Sequence, residues 1–401
     1  MNTVRKIKDN IYYVGASDNR LELFENLFPI KDGVSYNSYM ILDEKTALVD
    51  TADRSVFETF IENVEYVLNG RKLDYLIINH LEPDHSALIK EITILYPSVT
   101  LVLNDRSAKM LEGFFNKPLT TKTLIVKEGD ELDLGCHKLT FVMAPMVHWP
   151  EVMMTYDKVS KILFSADAFG TFGSLNGNLF DDEFDKDPYF YSEARRYYTN
   201  IVGKFGKQVE AVLAKAAGLD IGMILPLHGP IWRTEIAKMI ELYTKWATYE
   251  AESNDVIIIY GSMYGNTYNA CFSLATCLGK LGVKNIKMYD VSKTDVSFLI
   301  SEIFRVKNIV LACPNYNGGI YPKMANLLHD MKALNVQNKN ISLIENGTWA
   351  LVITKQIKEI LDSLKNIRYV SSEIKVQTTL KDSNMTDIKN LANAIYENYK
   401  A

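Results

Sequence analysis

The chain has 401 residues, 47% of them apolar and 23% charged, and a formal net charge of −5 at pH 7. That length calls for two or three domains, each with ample core, and the acid excess lacks the basic patch or stripe of a nucleic-acid binder. No apolar run approaches the roughly 18 residues of a membrane-spanning helix, and Met1-Asn2-Thr3-Val4-Arg5-Lys6 carries no signal-peptide core. The expected setting is therefore the cytoplasm, without membrane or nucleic-acid partners. The four cysteines, Cys136, Cys271, Cys277 and Cys313, form no C-x-x-C pair. They cannot build a zinc ribbon or a rubredoxin-type iron site and are expected to be buried, reduced thiols.

In chain order, apolar runs predict strands at 11–14, 39–42, 47–50, 75–78 and 100–103, and helical spacing predicts a helix over 55–68. A second helix is expected to open at Ser86 and close before Pro97. Strands follow at 124–126, 139–144, 162–166 and 221–225, with one long helix over 192–217 and another over 234–249. Strands with interspersed helices indicate a layered α/β or α+β domain over residues 1–250.

The ends of these strands carry the chemistry. His80-Leu81-Glu82-Pro83-Asp84-His85 places two imidazoles and two carboxylates within six residues, directly after an apolar run. Such charges are costly in a core, and a turn at a strand end can aim them at one centre. His148 follows the strand at 139–144, Asp167 the one at 162–166 and His228 the one at 221–225. Only six histidines exist, and four occupy these positions; His137 and His329 do not. Seven ligand-type residues exceed the needs of one ion and imply two. Metals in such pairs lie about 3.5–4 Å apart, close enough for one carboxylate, here Asp167, to bridge them.

The polar stretch 250–255 marks the expected boundary, and a second domain runs from 255 to 401. Val256-Ile257-Ile258-Ile259-Tyr260 reads as a central parallel strand. It leads through Gly261-Ser262-Met263-Tyr264-Gly265-Asn266-Thr267 into a helix. Strand, hydroxyl- and glycine-containing turn, helix is an anion-binding arrangement, although the turn alone also reads as a plain helix cap. The continuation decides: strands at 286–289, 308–313, 341–344 and 367–370 alternate with helices at 296–304, 322–334, 351–364 and 384–399. Five strands in that alternation make a doubly wound parallel sheet, with ligands at the carboxyl ends of its strands. Two more loops lie there, each with glycine and one aromatic ring, Pro314-Asn315-Tyr316-Asn317-Gly318 and Gly347-Thr348-Trp349. Tyr316 and Trp349 could sandwich a flat heterocycle.

The first half resembles the flavodiiron proteins: His80-x-Glu82-x-Asp84-His85, then 62 residues, His148, 18 residues, Asp167, 60 residues, His228. The resemblance implies an αββα sandwich of the metallo-β-lactamase superfamily. By it, one iron is held by His80, Glu82 and His148, the other by Asp84, His85 and His228, and Asp167 stands between. Hydrolases of that superfamily carry His-x-His-x-Asp-His, so Glu82 replaces a histidine, and an anionic oxygen suits iron or manganese better than nitrogen does. The second half resembles flavodoxin, which implies FMN. Ser262, Tyr264, Asn266 and Thr267 would hold its phosphate, with the loops at 314–318 and 347–349 flanking the isoalloxazine. The implied activity is reduction of O2 to water or of NO to N2O. Electrons would come from a separate rubredoxin-like donor, since little chain follows the last helix. A 250-residue domain has a radius of gyration of about 18 Å, so flavin and irons are expected to meet across a head-to-tail homodimer or a dimer of dimers. The alternative is a zinc hydrolase fused to a flavodoxin-like module.

Overall fold

The structure is a computed structural model that describes residues 2–115, 120–185 and 188–400, with the side chains of 188 and 189 left aside. Its contacts divide the chain into two compact units, Met1–Thr244 and Lys245–Ala401.

The first unit is built on two sheets. One has seven strands in the order Arg5–Lys8, Ile11–Tyr13, Tyr39–Leu42, Thr46–Val49, Tyr75–Ile77, Thr100–Leu103 and Lys122–Ile125. It is antiparallel to Thr46–Val49 and parallel beyond. The other orders Glu131–Asp133, Lys138–Met143, Met153–Asp157, Ile162–Phe164 and Met223–Leu225, with only the last pair parallel. Ile41, Val49, Ile77 and Val102 of one sheet share a single buried cluster with Phe141, Met153, Phe164 and Leu225 of the other. With helices such as Phe57–Leu68 outside, this is the αββα sandwich. That helix ends at Asn69, whose left-handed backbone (φ 44°) stops the winding.

Several expectations are corrected here. The helix expected from Ser86 is a four-residue turn, Pro83–Ser86, followed by Ile89–Leu95, so Asp84 and His85 sit inside the turn. The long helix expected over 192–217 is broken: α-helix Pro188–Tyr197, a π turn at Tyr198–Val202, a 3-10 turn at Gly203–Phe205, then α-helix Gly206–Ala216. Gly203 and Gly206 weaken helix propagation, and a π turn admits the extra residue that lets both Tyr197 and Tyr198 face inward. The strand Met153–Asp157 was not foreseen. All five of its residues are buried, so no alternation marks it. Cys136 is exposed and Cys277 half-buried, leaving Cys271 and Cys313 as the buried thiols.

The second unit is a sheet in the order Lys287–Asp290, Ser253–Tyr260, Val306–Tyr316, Asn340–Gly347, all parallel. The fifth strand, expected at 367–370, is two pieces along Asn340–Gly347: Arg368–Tyr369 beside its start and Ile374–Gln377 beside its end. Apolar clusters cover both faces, Ile257, Ile309 and Leu311 on one side and Ile258, Val310 and Ala312 on the other. That two-sided burial is why the strands read as continuous apolar runs. The order is the flavodoxin-like doubly wound one.

Candidate functional site

In the first unit the seven predicted residues fall in two adjoining groups. His80, Glu82, His148 and Asp167 offer ligand atoms all within 4.8 Å of one another, and Asp84, His85 and His228 do the same. Each stands just past a strand end or in the turn at Pro83–Ser86. His80, His85, Asp167 and His228 are fully buried, and Glu82, Asp84 and His148 line the more open side.

Asp167 spans the groups. Its Oδ2 lies 3.1 Å from His148 Nε2 and 3.4 Å from His80 Nε2, while its Oδ1 lies 3.2 Å from His85 Nε2. Glu82 Oε2 is 3.0 Å from His148 Nε2 and 3.3 Å from His80 Nε2. Asp84 Oδ2 is 3.2 Å from His228 Nε2 and 3.4 Å from His85 Nε2. The two Nε2 atoms of His85 and His228 face each other at 3.0 Å.

The far side of the rings decides what these contacts mean. His228 Nδ1 donates to the Ser35 carbonyl at 2.7 Å, and His80 Nδ1 donates to Glu151 at 2.8 Å. Both bonds place a proton on Nδ1, so in the neutral ring Nε2 presents its lone pair to the centre, as in a metal-ligating histidine. Lone pairs and carboxylate oxygens converging at such distances repel unless a cation lies among them. Among the described residues, buried Asp84 Oδ1 and Asp167 Oδ1 also lack hydrogen-bond partners. Burial would depress the His148 imidazole, yet hydrogen bonds that Asp167 and Glu82 accept from it push it up to about 9. Burial would raise the Glu82 carboxyl, yet His148 and His80 hold it well below the usual range. The donor set of four imidazoles and three carboxylates fits two hard or borderline metal ions.

Of the walls, sequence reasoning offers Tyr197 and Tyr198, on the helix between the last two ligands, as candidates to reach this pocket or as core, and misses Phe24, Glu25 and Phe172. Phe24, on the hairpin of Leu23–Phe24 and Phe28–Pro29, stands edge-on to His228 at 5.2 Å, and burial together with the charge of Glu82 pushes the carboxyl of the turn residue Glu25 up to about 8. The Tyr197 ring packs 5.6 Å from His228 and 5.2 Å from Phe172, and its buried hydroxyl has no hydrogen-bond partner among the described residues. Gly170 is needed beneath it, because a Cβ there would lie 2.9 Å from the Tyr197 ring. No local periodicity announces such walls. The other two histidines serve elsewhere: His137 pairs with Asp157 at 2.7 Å, and exposed His329 with Asp330.

In the second unit a cavity of about 150 Å³ opens at the carboxyl ends of the strands. Ser262, Met263, Tyr264, Asn266 and Thr267 line it from the first loop, Pro314 and Asn315 from the second, and Gly347, Thr348 and Trp349 from the third. Asn346 and Ala350 join them, whereas Gly265, Tyr316, Asn317 and Gly318 fall outside the lining. Gly265 instead supplies the left-handed residue (φ 88°) before helix Asn266–Lys280, whose first turn has no side-chain cap from that position. Ser262 Oγ accepts from Gly265 N–H at 3.2 Å and Tyr268 N–H at 3.3 Å, curling the loop around the helix N-terminus. Trp349 and Tyr264 stand exposed at the rim. A helix N-terminus under a glycine-bearing loop fits a phosphate, and exposed aromatic rings fit a flat heterocycle, which together match FMN.

Comparison with known proteins gives the same partition. Residues 34–229 match a family described as ODP family beta lactamase, and residues 258–372 match flavodoxin. The chain is 32% identical over 349 residues to an anaerobic nitric oxide reductase flavorubredoxin of Escherichia coli, covering 86% of this chain and 72% of that one. The rubredoxin oxygen:oxidoreductase of Desulfovibrio gigas superposes with a TM-score of 0.92 at 27% identity, over 99% of this chain and 98% of the other. A flavodiiron protein of Giardia intestinalis has the same fold, at 23% identity, a TM-score of 0.92 and the same coverage. No helix among the described residues is long and apolar enough to cross a membrane. With a β-lactamase-like unit followed by a flavodoxin-like one, and a relative a third identical over most of both chains, this protein belongs to the flavodiiron family.

Proposed function

We propose that this protein is a flavodiiron reductase that reduces O2 to water, NO to N2O, or both. The two irons would be held by His80, Glu82 and His148 and by Asp84, His85 and His228, with Asp167 between them. FMN would be held in the cleft of a second domain at 255–401, after a first domain at 1–250. The single observation that carries this reading is the Asp167 carboxylate, whose two oxygens face two different histidine groups at 3.1 and 3.2 Å. A zinc hydrolase explains neither Glu82 in place of histidine nor the flavodoxin-like unit, and is not favoured.

When bound, the iron pair and the flavin supply redox equivalents, which zinc cannot. Four electrons and four protons convert O2 to two waters, and two of each convert two NO to N2O and water. The chain's own part is positional. Glu151 and the Ser35 carbonyl hold His80 and His228 with Nε2 inward. Phe24, Phe172 and Tyr197 make an apolar wall that favours a small uncharged gas over water. The free Tyr197 hydroxyl is placed to donate a hydrogen bond to a ligand beside His228.

A rubredoxin-like donor, a head-to-tail homodimer or dimer of dimers, and a cytoplasmic setting complete the proposal. The test is elemental analysis together with rapid mixing of the anaerobically reduced protein with O2 and with NO. Two irons and one FMN per chain, with flavin reoxidised by at least one gas, are expected. Zinc in both positions, or flavin left reduced by both gases, refutes the reading.

A further inference from the structure

We propose, resting on the two-iron reading above, that Glu151 is a positioning residue that makes the His80–Glu82–His148 position the tighter of the two metal positions. The outer nitrogens of the histidines are treated unequally. His80 Nδ1 donates to a carboxylate, Glu151 Oε1, at 2.8 Å, whereas His228 Nδ1 donates to a neutral carbonyl and buried His85 Nδ1 has no hydrogen-bond partner among the described residues. Asp50, whose charge acts on His85, spends Oδ1 on the backbone N–H groups of Asn79 and His80 and makes no hydrogen bond to that ring. A carboxylate behind an imidazole raises the basicity of the opposite nitrogen and fixes the ring's orientation, and loss of such a partner typically weakens metal binding 10–100-fold.

Burial makes the arrangement informative. Glu151 is 1% exposed, and His80 is its one ion-pair partner among the described residues. Its Oε1 accepts a second bond from Leu81 N–H at 3.0 Å, and its Oε2 has none among the described residues. A buried carboxylate without a Lys or Arg is costly, and a cation beyond the His80 ring is the compensating charge the geometry points to. The same short run, His148-Trp149-Pro150-Glu151, supplies a ligand, sets Trp149 perpendicular to His80 at 5.3 Å and provides the carboxylate. Asn104 Nδ2 clamps this run by donating to the Glu151 carbonyl at 2.6 Å, and Arg106 by donating to the Pro150 carbonyl at 2.9 Å. At the position of Asp84, His85 and His228, neither outer nitrogen, His85 Nδ1 nor His228 Nδ1, bonds to a buried carboxylate among the described residues.

The test compares wild type, Glu151→Gln and Asn104→Ala, each checked for native circular dichroism and titrated anaerobically with ferrous iron. Glutamine keeps the acceptor and the shape and removes the charge. Glu151→Gln is expected to bind one iron as wild type does and the other 10–100-fold more weakly. Iron-edge anomalous density should then be lost beside His80 and His148 and kept beside His85 and His228, with one of two Mössbauer doublets missing. Asn104→Ala loosens the loop but leaves the charge, so it should keep both irons and both doublets. The proposal is overturned if Glu151→Gln binds both irons normally, loses both equally, or loses the other one, or if Asn104→Ala reproduces its spectrum. A wild-type protein that never takes up two irons overturns the two-iron reading itself and the role of Glu151 with it.

Discussion

Gly347→Ala is the sharpest probe of the flavin cleft. A Cβ at Gly347 would stand 2.1 Å from the carbonyl oxygen of Ala350, more than 1 Å inside ordinary van der Waals contact, and the obstacle is backbone. Relief requires the turn at 347–350 to move, and that carbonyl also accepts from Asn315 Nδ2 at 3.1 Å, so the second loop is disturbed as well. Overpacking of this kind costs about 1–3 kcal/mol, and the lost hydrogen bond about 0.5–1.5 kcal/mol. If the flavin-binding conformation bears that cost, FMN affinity falls by roughly 10- to 1000-fold, at about 1.4 kcal/mol per factor of ten. The assay is quenching of flavin fluorescence as apoprotein is titrated with FMN, with iron content as the internal control, since the proposed metal ligands lie in the other unit. Gly279→Ala is the companion variant: nothing lies within 4 Å of its added Cβ, and it sits inside helix Asn266–Lys280. It should stabilise by about 0.5–1 kcal/mol and leave FMN binding alone. FMN affinity in Gly347→Ala within twofold of wild type would refute the reasoning.

Asp167→Ala should cost both metal positions, whereas His228→Gln should cost chiefly one, because Asp167 is the one carboxylate among the described residues that faces both histidine groups; iron per chain by elemental analysis separates the two outcomes. Tyr197→Phe removes a buried hydroxyl that has no partner among the described residues, so thermal stability should hold or rise by up to about 1 kcal/mol while gas turnover slows, and a loss of stability above about 1 kcal/mol would contradict the placement. Lys339 is fully buried and donates to the carbonyls of Phe304 and Val306 at 3.0 and 2.8 Å; burial pulls its ammonium down to about 7. Between that value and its ordinary one the unfolded chain holds a proton that the folded chain does not, so stability should rise with pH from about 7 towards 10. Lys339→Met should flatten that rise in denaturant titrations at several pH values.

Much of the candidate site was legible in the chain because the information is local. His80 to His85 is a six-residue cluster, and His148, Asp167 and His228 each follow an apolar run, so strand-end placement could be read from hydrophobic pattern alone. The doubly wound second unit was legible for the same reason: strands buried on both faces are continuous apolar runs separated by amphipathic helices. What misled was also local. Gly203 and Gly206 do not interrupt an apolar helical pattern, so the break after Tyr197 was invisible. Met153–Asp157 has no alternation because both its faces are covered.

The kind of protein was thus determined by the chain as written: which residues could ligate, how many metals they imply, and that a flavodoxin-like sheet follows. Only the tertiary structure decided how those ligands are held. His80 meets Glu151 across 71 positions, and His228 meets the Ser35 carbonyl across 193. Nothing near either histidine in sequence announces its partner. Ring orientation, the apolar wall of Phe24, Phe172 and Tyr197, and the unequal hydrogen bonding of the histidines' outer nitrogens all arise from packing between elements distant in the chain. Such contacts are set by the fold as a whole, because a buried polar group is satisfied by whichever partner the packed core brings to it.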